Sequence, residues 1–270
     1  MLTNAESWIN VTKLNLDDLE KPDTILQRKV LSITSNPSKC FMKLELGIIP
    51  VKFVIMKKRL LFLQYILKEN KESMMRKVFD ALKQDSRKGD FIHLTNCDRE
   101  TLNLNFTDFE IENMSKWCWK KILNKEVKKI AFSELLNENL TKEKTRDIHF
   151  DDLEISNYLK ENERSSLSKL IFKIRSQTLN IKSWQPWNYS NNSCVKCEKT
   201  KETMSHFVTC VEYPTEIEHN WWDIKQNNTE TQKEIARIVE KRFKIRQEIL
   251  DSQQEGGQAS NTGSNAPVDC

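Results

Sequence analysis

Cys194, Cys197, His206 and Cys210 follow one another as Cys-x2-Cys-x8-His-x3-Cys, so three of the seven cysteines and one of the four histidines of this 270-residue chain fall inside one short stretch. No other feature constrains the fold as tightly, because such a run can close a loop that has no apolar core of its own. A Cys-x2-Cys turn brings two thiolates to one metal, and a His-x3-Cys step sets two more ligands a helical turn apart. The eight-residue spacer is polar and long enough to reverse the chain. We expect a zinc (Zn2+) knuckle closed by four protein ligands and therefore structural rather than catalytic. Ordinary thiols and an unligated imidazole are one competing reading. A redox Cys-x2-Cys pair is another, and Cys210 with His206 at ligand spacing argue against it.

The rest of the chain reads as helix. Charged residues make up 30% of it, with only five glycines and six prolines, a composition that disfavours loop-rich and β-rich folds. Residues Thr12 to Ile33 carry Leu14, Leu16, Leu19, Ile25, Leu26 and Val30 at roughly helical spacing, with Pro22 expected to kink or restart the helix. The apolar run Gly47 to Leu67 holds Lys52, Lys57, Lys58 and Arg59, which excludes a comfortable membrane span and predicts a buried helix opening at Pro50. A helix near 73–84 aligns Met74, Met75, Val78, Phe79 and Leu82 on one apolar face. Phe91 to Phe106 is ambiguous. Ser115 should cap a helix to about Glu138 whose inward stripe is Trp119, Leu123, Val127, Ala131 and Leu135. Ser165 to Lys182 forms another, with Leu167, Leu170, Ile171, Ile174 and Ile181 inward, and Thr231 to Leu250 is amphipathic and charged. The Gly/Ser/Asn/Gln-rich residues 251–270 should be disordered, leaving Cys270 a free thiol.

Cys40, Cys97 and Cys118 read as small, partly buried side chains, and His93, His149 and His219 as surface or satisfied core residues. Met1 to Trp8 lacks the basic start and apolar core of a secretory leader, so we expect a reducing, intracellular setting, nucleus or cytoplasm, and no membrane association.

A net charge of +4 means that any nucleic-acid surface must come from clustering. The candidate phosphate contacts are Lys57, Lys58 and Arg59, the Lys116 to Lys129 cluster, and above all Arg164, Lys169, Lys173, Arg175 and Lys182 leading into the knuckle, with Lys196 and Lys199 inside it. Trp184 and Trp187, with Tyr189, are candidate stacking rings. Solvated helix faces and buried aromatics are the competing reading of each patch.

The segments "MLTNAESW", "LELGIIPVKFVIMKKRLLFLQYIL" and "SLSKLIFKIRSQTLNIK", followed by the Cys-x2-Cys-x8-His-x3-Cys run, resemble in order and spacing the carboxy-terminal part of LINE-type (non-LTR) retrotransposon reverse transcriptases over about residues 1–210. The resemblance implies a thumb-like region ending in a zinc knuckle that handles RNA or target DNA, with Cys194, Cys197, His206 and Cys210 as its ligands. The family's polymerase centre needs an aromatic-x-Asp-Asp motif and a further aspartate to hold two metal ions. Asp17-Asp18 and Asp151-Asp152 lack the aromatic residue two positions earlier. A nuclease found in some relatives leaves only a faint echo in Pro214 and Asp223-x-Lys225.

The expected architecture is thus mainly α: a helical domain over 1–185, a knuckle over 186–215, a carboxy-terminal helix over 216–250 and a tail over 251–270. The expected function is a non-catalytic fragment derived from such a reverse transcriptase, binding RNA or DNA, with single-stranded RNA favoured. A zinc-stapled helical module that binds a protein partner through 231–250 is the alternative.

Overall fold

The computed structural model describes residues 13–33, 36–160, 165–184, 191–214, 221–226 and 228–258. These residues are mainly helical, and β structure among them is limited to two isolated bridges, Leu46 with Ile155 and Ser193 with Lys201. They form two compact units that interleave along the sequence. The first takes the chain up to Val30 together with Ser38–Glu143 and Phe150–Ile155. The second takes Leu31–Pro37, Lys144–His149 and the chain from Ser156 onward. The helix before the cysteines therefore groups with the knuckle, not with the helices preceding it as the 1–185 boundary had it.

The first unit is assembled around α3 (Val51–Lys68), against which α4 (Met74–Gln84), α5 (Phe91–Thr101), α6 (Asp108–Asn113) and α7 (Lys116–Leu140) all pack. Pro50 stands at the N-cap of α3, one residue before the helix, where its missing N–H costs nothing. Phe53, Ile55, Leu60 and Leu63 of α3 are buried. Ser115 caps α7, accepting from the Cys118 N–H at 3.1 Å, and the whole expected stripe from Trp119 to Leu135 is buried. The Trp119 indole donates to the Leu60 carbonyl at 3.0 Å, tying the two long helices together. The ambiguous segment proves helical as α5 because Asp90 accepts from the His93 N–H at 2.8 Å. Thr107 and Glu110 form a reciprocal capping box that starts α6.

Three expectations in this unit need correction. The first helix, α1 (Lys13–Leu31), runs through Pro22 without restarting. Of the apolar face expected on α4, only Phe79 is buried, while Met74 and Val78 stay 77% and 50% exposed. Arg59 is no surface cation: its Nε and Nη2 donate to both oxygens of Asp98 at 2.7 and 2.8 Å, and both residues are buried. Burial outweighs this fork and raises the Asp98 carboxyl above its usual range.

Gly47, just after α2 (Lys39–Glu45), adopts φ +63°, and a Cβ there would lie 2.7 Å from the backbone carbon of Glu154. No larger residue fits, because backbone cannot move aside as a flexible side chain can.

The second unit contains α8 (Asn157–Lys160), α9 (Ser165–Arg175), α10 (Met204–Thr209), a 3₁₀ turn at Trp221–Lys225 and α11 (Thr229–Gln258). Its apolar interior includes Ile171, Phe172, Ile174 and Ile181 of the α9 region, Ile224 of the turn, and Ile235, Ala236 and Val239 of α11. The apolar face of α11 is thereby used within the chain. Ile238, Phe243, Ile249 and Leu250 are half-buried as well, so much of the stripe expected to greet a protein partner is covered within this unit. The helix also continues past Leu250 to Gln258, where disorder was expected, and residues 259–270 lie outside the described set.

Removing only one member of the buried Arg59–Asp98 pair should be costly. Asp98→Ala is expected to lower stability by about 3–5 kcal/mol in urea unfolding, since it strands a buried guanidinium. Arg59→Met with Asp98→Leu should recover most of that loss.

Candidate metal centre

Cys194, Cys197, His206 and Cys210 converge: one ligand atom from each lies within 4.8 Å of all the others, so the four can hold one metal ion. Two local devices bring them together. On the first side, the Cys194 N–H donates to the Thr200 carbonyl at 2.7 Å and the Glu198 N–H returns to the Cys194 carbonyl at 2.9 Å. Glu198 takes φ +58° to close this turn, which the Ser193–Lys201 bridge then seals. On the second side, Thr203 caps α10 by accepting from the His206 N–H at 3.1 Å. The Cys210 N–H donates to the His206 carbonyl at 2.7 Å, so the x3 spacing is one helical turn.

Nε2 of His206 lies 3.2 Å from the Cys197 sulfur, and the Thr200 hydroxyl is 3.1 Å from Nδ1. The imidazole thus brings Nε2 to the Cys197 sulfur, and the Thr200 hydroxyl lies beside the ring within reach of both nitrogens, 3.0 Å from Nε2. Cys194 and Cys210 are buried, and Cys197 and His206 are half-buried.

The two thiols of the Cys-x2-Cys turn differ electrostatically. Burial pushes Cys194 up to about 11 against the opposing backbone N–H groups of Cys197 and Lys196. Burial also works against the Cys197 thiolate, but the N–H groups of Lys199 and Thr200, the Thr200 hydroxyl and His206 outweigh it and bring this thiol down to about 6.

Beneath the ligands lies a small core of Val195, Met204, Phe207, Val208 and Tyr213, with Phe207 and Tyr213 edge to face at 5.4 Å. Two buried arginines of α11 fasten it. Arg242 donates to the carbonyls of Phe207 and Cys210 at 2.9 and 3.1 Å, and its guanidinium lies over the Tyr213 ring. Arg246 makes a two-pronged pair with Glu202, at 2.9 and 3.0 Å, in which both side chains are fully buried. The other Glu202 contacts come from the segment leading in: the Lys182 N–H donates to its carboxylate and the Ser183 N–H to its carbonyl. Sequence reasoning missed Arg242, Arg246 and Glu202. Arg242 and Arg246 had a positional signal, since they fall at inward-facing helical spacing among Ile235, Val239 and Phe243, whereas Glu202, in a polar stretch, had none.

The candidate nucleic-acid residues fare unequally. Lys196, Lys199 and Lys201 are exposed on the loop between the ligands, with Glu212 3.8 Å from Lys199. Lys169, Lys173, Lys182 and Trp184 are half-buried. Arg175 turns inward: it is 1% exposed, donates to the Ile224 carbonyl at 2.7 Å and lies over the Tyr158 ring, so it cannot present itself to phosphate as expected. Arg164, Trp187 and Tyr189 lie outside the described residues, as does His219.

The acids considered for catalysis are dispersed. Asp17, Asp18, Asp151 and Asp152 are exposed, Asp18 pairing with Lys21. Lys225 is buried, with Asp147 at 3.2 Å and the Trp222 ring beneath its ammonium. No helix among the described residues is long and apolar enough to cross a membrane. Cys40 is buried, and Cys97 sits 3.7 Å from His93 on the same helix.

Comparison with known proteins finds no matching family model, no matching curated protein and no matching solved structure.

Proposed function

We propose that this chain is a zinc-stapled, non-catalytic nucleic-acid-binding module derived from the carboxy-terminal region of a LINE-type reverse transcriptase, with single-stranded RNA as the favoured partner. The observation that carries the reading is the convergence of three thiols and one imidazole on a loop that also displays Lys196, Lys199 and Lys201. Three soft donors and an imidazole are a zinc set, and tetrahedral zinc with bonds of about 2.3 Å places its sulfurs roughly 3.8 Å apart, within the span of this cluster. With four protein donors no position is left for a reacting water, so the ion's work is to hold the loop. A reduced thiol set of this kind suits a reducing compartment.

The derivation from a reverse transcriptase rests on the order and spacing of the quoted segments. The absence of chemistry rests on the sequence, which has no aromatic-x-Asp-Asp, and on the dispersal of the acids described above. A protein-docking role for 231–250 finds no support, because that helix uses its apolar face inside the second unit.

Purified protein should carry one zinc per chain by elemental analysis, and Cys197→Ser should lose it. Because the binding energy of such a site, on the order of 10 kcal/mol, is folding energy, chelation should raise hydrogen exchange across 191–214 and in α11 around Arg242 and Arg246, while α3 and α7 stay protected. Metal-free protein that remains protected over 191–214 would end the zinc reading.

Binding to single-stranded RNA should depend on salt. If about four lysines engage phosphates, log affinity should fall with log salt at a slope near −3, each contact contributing roughly −0.7. Replacing Lys196 and Lys201 by Ala should flatten that slope by about one unit, and replacing Lys142 and Lys144 should leave it unchanged. Equal losses from the two pairs, or binding indifferent to chelation, would mean that the knuckle organises no nucleic-acid surface.

A further inference from the structure

The first unit carries a second candidate site, remote in sequence from the cysteines. An open cavity of about 480 Å³ lies beside the carboxy-terminal half of α3 and the start of α7, with Leu61, Phe62 and Tyr65 along its floor and Lys58, Lys68 and Lys116 around it. Its walls are held in place. The Gln64 amide, itself buried, donates to the carbonyls of Ile111 and Met114 at 3.1 and 3.0 Å, fixing α3 against the segment that leads into α7. Phe62 is backed edge to face by Phe91 at 5.8 Å and lies nearly parallel to Tyr65 at 6.1 Å.

Charge around this cavity is one-sided. Glu69 is the lone carboxylate of the lining, and it is taken up by the Tyr65 hydroxyl, whose pKa it raises. Lys68 and Lys116 are exposed and make no ion pair among the described residues. Close by, burial holds Lys57 below its usual value, and the charges of Lys120 and Lys58 act in the same direction.

We infer that this cavity binds a small planar aromatic anion, its ring against Leu61, Phe62 and Tyr65 and its phosphate, sulfonate or carboxylate between Lys68 and Lys116, with Lys58 adding to the positive field of the wall. An apolar floor with a few convergent charges, in a volume of several hundred Å³, is the usual form of a small-molecule site. A nucleotide within a strand offers the same chemistry. A strand site, however, is a basic groove with successive stacking platforms, whereas here rings and cations close on one cavity.

The test uses the full chain with two fluorescent probes, 1-anilinonaphthalene-8-sulfonate and its uncharged analogue N-phenyl-1-naphthylamine. The sulfonate should bind saturably at one site per chain, and the neutral probe roughly ten-fold more weakly, as expected for two or three solvent-exposed charge contacts. Lys68→Glu with Lys116→Glu should weaken the sulfonate by about ten-fold or more and leave the neutral probe unmoved, whereas Lys88→Glu should change neither. Both lysines are exposed, and circular dichroism checks that the fold survives; the milder Lys68→Gln, Lys116→Gln pair, expected to lose about three-fold, reads the same point if it does not. Adenosine monophosphate should displace the sulfonate. Equal affinity for the two probes, or indifference to the charge reversals, would overturn the site. Displacement by oligo(dT) at lower nucleotide concentration than the monophosphate requires would overturn the small-molecule assignment in favour of a strand.

Discussion

Within the second unit, most of what surrounds the metal ligands depends on one carboxylate. Glu202 is fully buried and joins three separate pieces of chain: its carboxylate receives the Arg246 guanidinium from α11 and the Lys182 N–H, its carbonyl receives the Ser183 N–H of that same segment after α9, and its own N–H donates to the Asn192 carbonyl. Charges taken out of water are costly unless their geometry is good and their remaining valences are filled, and here the fork is parallel and the second oxygen is shared with a backbone donor. Such a pair adds little net stability compared with an apolar substitute. It does penalise every alternative packing of α11, because a shifted helix would bury a guanidinium against nothing.

Arg242 complements this arrangement electrostatically. Three thiolates around a divalent ion leave a net negative centre, and the Arg242 guanidinium stands close enough to Cys194 and Cys210 to interact with both. Burial depresses its pKa, the sulfurs of Cys210 and Cys194 oppose that when ionised, and a guanidinium stays protonated throughout any ordinary pH range. The knuckle and the helix that follows it are therefore one electrostatic object.

Much of the architecture was legible because it rested on periodicity or on caps. The α7 stripe from Trp119 to Leu135 could be read residue by residue, since every fourth position of a helix returns to the same face. Asp90 ahead of α5 and the Thr107-x-x-Glu110 box ahead of α6 carried the same kind of local signal and were overlooked in a region with weak apolar patterning. What sequence could not reveal was the fate of each basic residue. Arg59, Arg175, Arg242 and Arg246 all lie inside, paired with carboxylates or capping carbonyls, while most lysines of the same stretches stay at or near the surface, with Lys233 of α11 a buried exception. A planar guanidinium is weakly hydrated and can satisfy several acceptors at once, and an ammonium is strongly hydrated. Treating the two as interchangeable cations placed Arg59 and Arg175 on the wrong side of the surface. Nor could periodicity reveal that α9 belongs with α11, because an apolar face states that a partner exists without saying which.

Gly47 bears on how such a chain reaches its fold. Its backbone meets that of Glu154 too closely for any side chain, and the Leu46–Ile155 bridge sits at the same crossing. Closing a loop of about a hundred residues costs chain entropy before any contact rewards it, and contacts of such separation slow folding. During synthesis the helices from α2 to α7 can collapse as they emerge, but this crossing must wait for the 150–155 segment. The first unit is thus left with an unfinished edge while Lys144–His149 of the second are being made.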